Sequence, residues 1–377
     1  MRLIHLTSSG GWGGREMYPA VLAAAQSRRG HDVSLVAKAD TPLAGYLAGT
    51  SLDHDILRVS PYIDLVAAWR LSRILARRRP EIIQVHLSRD LALVAIGCSL
   101  AGQRPALILH KHIASSGSKK DVMHRYLYRK LSAVVAVSDF VRQSLIASCP
   151  IERERIRVIF NGVDTEKFSH NLSCTGDSRE ALRRELGAED NGSLIAGVVG
   201  RLEKRKGQDI FLKAAAIVAG RGETNLHFAV VGAAEGDYGR KLKEMAASLG
   251  LTGRVIFLGY RSDASRIYSA LDILVVPSLE EAFGLVAAEG MLSGLPVVAS
   301  GSGALPEFIT HERTGLLFTP GDPVTLAGAL VRLAQNPRLR SGLGLSAREW
   351  AMKNLCLEKI LDDLDSLYTE CLCSPPV

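Results

Sequence analysis

Short apolar runs alternate with stretches of helical periodicity along the whole chain, and the alternation stops once and then restarts. This restricts the chain to a parallel α/β architecture, because neighbouring parallel strands need a long crossover, which a helix supplies. In the first half, strands are expected near Leu3–Thr7, Val33–Ala37, Asp55–Val59, Ile82–His86, Ala106–His110, Val134–Val137 and Arg157–Phe160. Helices such as Glu16–Arg28 and Leu65–Arg78 lie between them. The pattern breaks at Asn161-Gly-Val-Asp164, a polar stretch runs to about Asn191, and the cycle restarts at Leu194–Val199. Further strands are expected near Leu226–Val231, Arg254–Leu258, Ile273–Val276, Pro296–Ala299 and Gly315–Phe318, before a helical stretch from Pro337 to Leu372. Two successive αβ sheets imply two Rossmann-like domains, with the cleft between them as the ligand site.

A chain of 377 residues, 47% hydrophobic, can fill two cores. No apolar run is long enough for a membrane span, and the N-terminus enters a strand without the apolar core of a signal peptide. The cysteines at 98, 149, 174, 356, 371 and 373 are scattered and lack matching histidines. Reduced thiols in a cytoplasmic chain are therefore expected, and no metal site. Charge is uneven: residues 1–170 carry 24 Lys and Arg against 14 Asp and Glu, the remainder 22 against 25. The first half is thus expected to meet an anionic surface or acceptor. No RNA-recognition aromatics or zinc finger accompany the charge, so nucleic acid is not the expected partner.

Three loops carry the chemistry. After strand Ile273–Val276, Pro277 leads through Glu281-Ala-Phe-Gly284 into a helix expected over Gly284–Ser293, with Glu289 about a turn and a half along it. Unpaired amides around Phe283, Gly284 and Leu285 suit an anion, whereas carboxylates suit neutral hydroxyls. A phosphate flanked by sugars satisfies both, although a surface loop with solvated glutamates would read the same way. Gly200-Arg-Leu-Glu-Lys-Arg-Lys-Gly207 follows the first strand of the second half. Arg201 and Lys206 there suit phosphate oxygens. A Lys-Arg-Lys run by itself is more often a solvated face. Ser8-Ser-Gly-Gly-Trp-Gly-Gly-Arg-Glu16 follows the first strand of all, and its glycines, Gly13 and Gly14 among them, permit close backbone approach to phosphate. Its spacing is not that of a dinucleotide fingerprint, and the second strand ends without the acidic residue a cofactor ribose needs, which disfavours a dehydrogenase.

Together, Gly13-Gly14-x-Glu16, Gly200-Arg201…Lys206-Gly207 and Glu281-Ala-Phe-Gly284…Glu289 resemble the retaining glycosyltransferases of family 4, which have the GT-B fold. Asn161-Gly-Val-Asp164 and Gly259-Tyr260 are similar to further landmarks of that family. The resemblance implies an acceptor domain over 1–165, a nucleotide-sugar domain over 166–345 and a C-terminal helix, 346–377, crossing back to the first. It implies that Arg201, Lys206 and the amides of Gly284 and Leu285 hold the diphosphate without a metal. Glu289 would hold the ribose and Glu281 the donor sugar, with Gly13 and Gly14 closing from the other domain. It implies that His112, or its neighbour His110, lies near the acceptor hydroxyl. The implied donor is a nucleotide-diphosphate sugar, foremost a UDP-sugar, with no separate cofactor. The acceptor would be a lipid-linked or surface glycan such as a lipopolysaccharide, reached by peripheral docking on the cytoplasmic face of a membrane. Glu280 and Ala282 depart from commoner family residues, which leaves sugar specificity open. A nucleotide-sugar epimerase would need further cleft carboxylates, and a silent binding protein would be expected to lack Arg201, Lys206 or Glu281. Asp363-Leu-Asp365 imitates a metal motif of another fold but falls in the C-terminal helical stretch, where it reads as helix surface.

Overall fold

A computed structural model of the protein describes residues 1–60, 64–115, 117–169, 176–188, 192–222, 225–234 and 236–373. Cys174 and the end of the polar stretch at Asn191 lie outside these residues. The chain divides into two compact units, Met1–Phe160 with Ile360–Val377, and Asn161–Lys359.

In the first unit β1 (Arg2–Thr7), β2 (Asp32–Lys38), β3 (His54–Leu57), β4 (Ile82–Val85), β5 (Ala106–Lys111), β6 (Ala133–Ala136) and β7 (Ile156–Val158) form one parallel sheet, ordered β3-β2-β1-β4-β5-β6-β7. The second holds β8 (Leu194–Val199), β9 (Leu226–Val231), β10 (Val255–Gly259), β11 (Ile273–Val276), β12 (Val297–Ser300) and β13 (Leu316–Phe318), also parallel and ordered β10-β9-β8-β11-β12-β13. Each sheet winds outward from its first strand in both directions. The switch points therefore fall between β1 and β4 and between β8 and β11, where the carboxyl-end loops diverge and leave a crevice. Strands β4, β5 and β11 are buried at every residue. Burial on both faces is why they read as unbroken apolar runs.

Each strand lies within two residues of its apolar run. The polar stretch that carried no strand signal contains two helices, Thr165–Ser169 and Gly176–Glu185. The C-terminal stretch is two helices, Pro337–Asn354 and Leu357–Cys373. Between them the chain pairs with the second unit's own start, Val163 N donating to Leu355 O at 2.9 Å and Leu357 N to Val163 O at 3.0 Å. The portion joining the first unit therefore begins at Ile360, later than the expected 346.

The last helix buries Ile360, Leu361, Leu364, Leu367, Tyr368 and Cys371. Their three- and four-residue spacing makes one apolar stripe. On its flank Asp362 pairs with Arg29 at 2.7 Å, and Asp365 with Arg29 at 3.3 Å and His31 at 3.1 Å. The stripe, more than these partly exposed pairs, holds the helix. Leu361→Ala should cost the first unit about 2–5 kcal/mol in urea unfolding. Asp362→Ala should cost under about 1 kcal/mol. Equal effects would show that the charged flank governs docking.

Candidate functional site

In the second unit the loops leaving β8 and β11 are joined. Gly207 has φ 71°, and a Cβ there would stand 2.0 Å from the Pro277 carbonyl oxygen. Leu279 N donates to Arg205 O at 2.9 Å across the same contact. This seam brings Lys206 Nζ to 2.5 Å from Glu281 Oε1, which also accepts from Ser278 Oγ at 2.8 Å. Glu281 is buried and Lys206 partly so. Arg201 lies on the same loop, one-third exposed, with Nη2 3.7 Å from Glu203 Oε1. Its carbonyl accepts from Gln208 Nε2 at 2.9 Å, tying the loop to the first turn of the helix Gln208–Gly220.

Gly284 caps the helix Leu285–Leu292 in the left-handed region, φ 97°, and offers no side-chain hydrogen bond. A Cβ there would meet Leu305 Cδ2 at 2.7 Å. The first turn has no side-chain cap, and its start carries the positive end of the helix dipole. Phe283 is buried against Phe308, with ring centroids 5.3 Å apart, so its side chain belongs to the core and not to the expected donor contacts. Glu289 accepts from the Tyr268 hydroxyl at 2.7 Å. Burial raises its pKa above the usual carboxylate range, against the opposing pull of that hydrogen bond and of Lys167. Tyr268 and Ser278 escaped the sequence reading; neither lies in a motif, and only the folded chain sets each beside its carboxylate.

The first unit repeats the plan at its own switch point. Ser8 N donates to Asp90 Oδ2 at 2.9 Å and Ser8 Oγ to Asp90 Oδ1 at 2.5 Å, joining the loop after β1 to the turn after β4. Gly13 caps the helix Gly14–Arg28 in an extended conformation. Glu16 in its first turn is buried and accepts from Arg15 Nε at 2.8 Å and Ser9 Oγ at 3.3 Å.

His110 and His112 point to one side of β5 and its exit, rings stacked with centroids 4.4 Å apart. Both are buried, as are His5 on β1 and His86 after β4. Burial holds His112 down at about 3, helped by the charges of Arg15 and Lys111, and His5 at about 4. His86 and His110 are also held well below 6.5, chiefly by burial. All four rings are neutral at physiological pH. His86, His110 and His112 each place one ring nitrogen within 4.8 Å of the others, the spacing of a metal-ligand set. No motif flagged His5 or His86, since only the strand order β1-β4-β5 sets them beside His112.

The Glycosyltransferase Family 4 profile matches residues 12–167, and that of Glycosyl transferases group 1 matches residues 193–336. An uncharacterized glycosyltransferase of Methanocaldococcus jannaschii is 29% identical over 237 residues, covering 62% of this chain and 59% of that protein. The D-inositol 3-phosphate glycosyltransferase of Salinispora arenicola is 29% identical over 340 residues, covering 87% of this chain and 73% of that protein. The chain thus spans between 59% and 73% of the length of these two relatives. Among solved structures, Anabaena HepE in complex with UDP and glucose superposes with a TM-score of 0.85 at 25% identity, covering 98% of this chain and 100% of that one.

The buried imidazoles make the first unit acid-sensitive. Their folded pKa values lie below the unfolded value of 6.5, so the unfolded chain binds more protons as pH falls. Their stabilisation is complete above about pH 6.5 and declines below it as the unfolded chain takes up protons that the folded rings refuse. The Asp90 carboxyl, raised by burial, works in the opposite sense at lower pH. Urea unfolding should give a markedly lower midpoint at about pH 5 than at neutrality. Equal midpoints would mean the rings are not held neutral.

Proposed function

Because the chain belongs to glycosyltransferase family 4 and has the GT-B fold, we propose that it moves a sugar from a nucleotide-diphosphate sugar to a hydroxyl of a glycan or lipid-linked acceptor, with retention at the anomeric carbon. The likeness to a protein solved with UDP and glucose makes a UDP-sugar the foremost donor.

The pairing of Lys206 with Glu281 carries this reading. It sets a cation for phosphate and an acceptor for sugar hydroxyls within one hydrogen bond of each other, beside an uncapped helix start. In the reaction the bond between the anomeric carbon and the diphosphate oxygen breaks. The acceptor oxygen bonds to that carbon, and the acceptor's proton leaves with the diphosphate. Charge gathers on the departing diphosphate, where Arg201, Lys206 and the amides of Gly284 and Leu285 stabilise it without a metal. Glu281 accepts from donor-sugar hydroxyls. Glu289, with one oxygen held by Tyr268, turns the other to the ribose. The turn at Gly13 and Gly14 in the first unit would permit close backbone approach by a phosphate, and His112 stands by the acceptor hydroxyl.

Arg201→Ala and Lys206→Ala should each lower turnover at least about tenfold with unchanged circular dichroism, since a charge-assisted hydrogen bond contributes about 1.5–3 kcal/mol. Glu281→Gln should act mainly on turnover. Glu289→Gln should mainly weaken nucleotide-diphosphate affinity measured by calorimetry. Parent-like transfer by both cation variants would remove the donor clamp.

The same proposal places the enzyme on the cytoplasmic face of an anionic membrane, extending a lipopolysaccharide or related surface glycan. On the helix Leu65–Arg78, Leu65, Val66 and Trp69 are exposed beside Arg70 and Arg73, with Arg73 over the Trp69 ring at 5.7 Å. On the helix Val122–Arg129, Val122 is 83% exposed, and Lys130 lies 4.8 Å from the Tyr126 ring. Apolar groups flanked by bases suit anionic headgroups, each base contributing about 1 kcal/mol. No helix among the described residues is long and apolar enough to cross a membrane. Co-sedimentation with anionic vesicles should be strong at low salt and fade as salt rises. Equal behaviour on neutral vesicles, or no binding at low salt, would point to a soluble acceptor.

A further inference from the structure

The four imidazoles of the first unit belong to a longer chain of buried side chains whose hydrogen bonds run in one direction. Its pivot is Tyr368 on the last helix. The Tyr368 hydroxyl donates to Gln84 Oε1 and accepts from Gln26 Nε2 at 2.9 Å. The amide nitrogen of Gln26 is thereby committed, and its Oε1 lies 2.6 Å from His5 Nε2. An amide oxygen only accepts, so His5 carries its proton on Nε2. A neutral imidazole has one N–H, so His5 Nδ1 accepts from His86 Nε2, 3.0 Å away. By the same rule His86 Nδ1 accepts from His112 Nε2 at 2.9 Å. His112 then ends the series with a bare lone pair on Nδ1. In the other direction Gln84 Nε2 donates to His110 Nδ1, which leaves His110 with its proton on Nε2.

Both ends are unanswered. His112 Nδ1 and His110 Nε2 are buried and have no hydrogen-bond partner among the described residues. Leaving a buried polar atom unpaired costs about 1–3 kcal/mol, so native folds rarely do so without a use. A metal shared by His86, His110 and His112 would be one use. However, the His86–His112 hydrogen bond already occupies a nitrogen of each ring, and a metal drawing on those nitrogens would break the series.

We propose that this one-directional relay fixes the tautomer of His112, so that Gln26, His5, His86 and Tyr368 are positioning residues that hold His112 Nδ1 as an acceptor for a substrate hydroxyl. This rests on the reading of His112 as the group beside the acceptor. The relay gives the last helix a second task beside packing: its tyrosine sets which way the imidazoles point their protons. Were every bond reversed, His112 would present an N–H and repel the same hydroxyl proton. The polarity of the whole series therefore decides whether the ring can accept.

The test is nitrogen NMR of the full chain labelled with 15N-histidine, together with transfer kinetics. At neutral pH His112 should show an unprotonated Nδ1 and a protonated Nε2. Gln26→Leu removes the acceptor that orients His5 and should give mixed tautomers at His5, His86 and His112. It should also lower turnover at least tenfold with unchanged affinity for UDP, which the second unit binds. Gln26→Glu restores an oxygen to His5 and should recover both the single tautomer and most of the turnover. Should Gln26→Leu not fold, Tyr368→Phe removes one hydroxyl and should scramble the tautomers in the same way. A proton on His112 Nδ1 in the parent, or a variant spectrum identical to the parent's, would overturn the relay. So would a shift of the His86, His110 and His112 signals to metal-bound positions on adding zinc, with turnover rising. Scrambled tautomers with parent-like turnover would overturn the positioning role while leaving the donor clamp of Arg201 and Lys206 untouched.

Discussion

Where the loops after β8 and β11 touch, a backbone carbonyl occupies the space in which residue 207 would carry a side chain. The Pro277 oxygen stands 2.0 Å from the position of a Cβ on Gly207, whose φ of 71° already lies in the region that favours glycine. Everything at the second unit's site follows from this approach. It places Lys206 on Glu281 and lets Ser278 share the same carboxylate oxygen. A second close passage supports it from behind, since a Cβ on Gly303 would lie 2.2 Å from the Glu281 carbonyl oxygen, which accepts from Ala304 N at 2.8 Å. Charge chemistry here depends on two positions that carry no side chain.

The strands could be read from the sequence because burial on both faces makes them unbroken apolar runs, and the site loops because Gly, Arg, Lys and Glu fall at strand exits. Other features were illegible for particular reasons. The helices Thr165–Ser169 and Gly176–Glu185 lie in a polar stretch whose helical period is too short or too charged to stand out. The break at Leu355 in the C-terminal stretch comes from pairing with Val163, nearly two hundred residues earlier, which no local pattern encodes. His5 and His86 looked like ordinary polar residues on strands. Only the order β1-β4-β5 reveals that they continue inward from His112. In the same way Phe283, which lies in the Glu281–Gly284 motif, turns its ring into the core against Phe308.

The two units furnish the ends of their strands with different materials. The second places ionised groups near the surface, where Lys206 and Arg201 keep part of their hydration. The first buries neutral, hydrogen-bonded imidazoles and a tyrosine, whose desolvation is tolerable because none is charged at neutral pH. The second unit's charged groups suit an anion, whereas the first unit's neutral groups suit a neutral hydroxyl.

The first unit is discontinuous, its sheet built from residues up to Phe160 and its covering helix from Ile360 onward. On the ribosome, its seven strands therefore emerge long before Tyr368 and the apolar stripe that cover them. At roughly 5–20 residues per second, the intervening segment takes on the order of 10–40 s to synthesise. During that interval Gln26 and Gln84 have no tyrosine between them, and the sheet face awaiting the helix is open to chaperones or to another nascent chain. The second unit is complete by Lys359 and can fold while the first still waits. Synthesis thus reverses the order in the sequence: the unit encoded first is finished last.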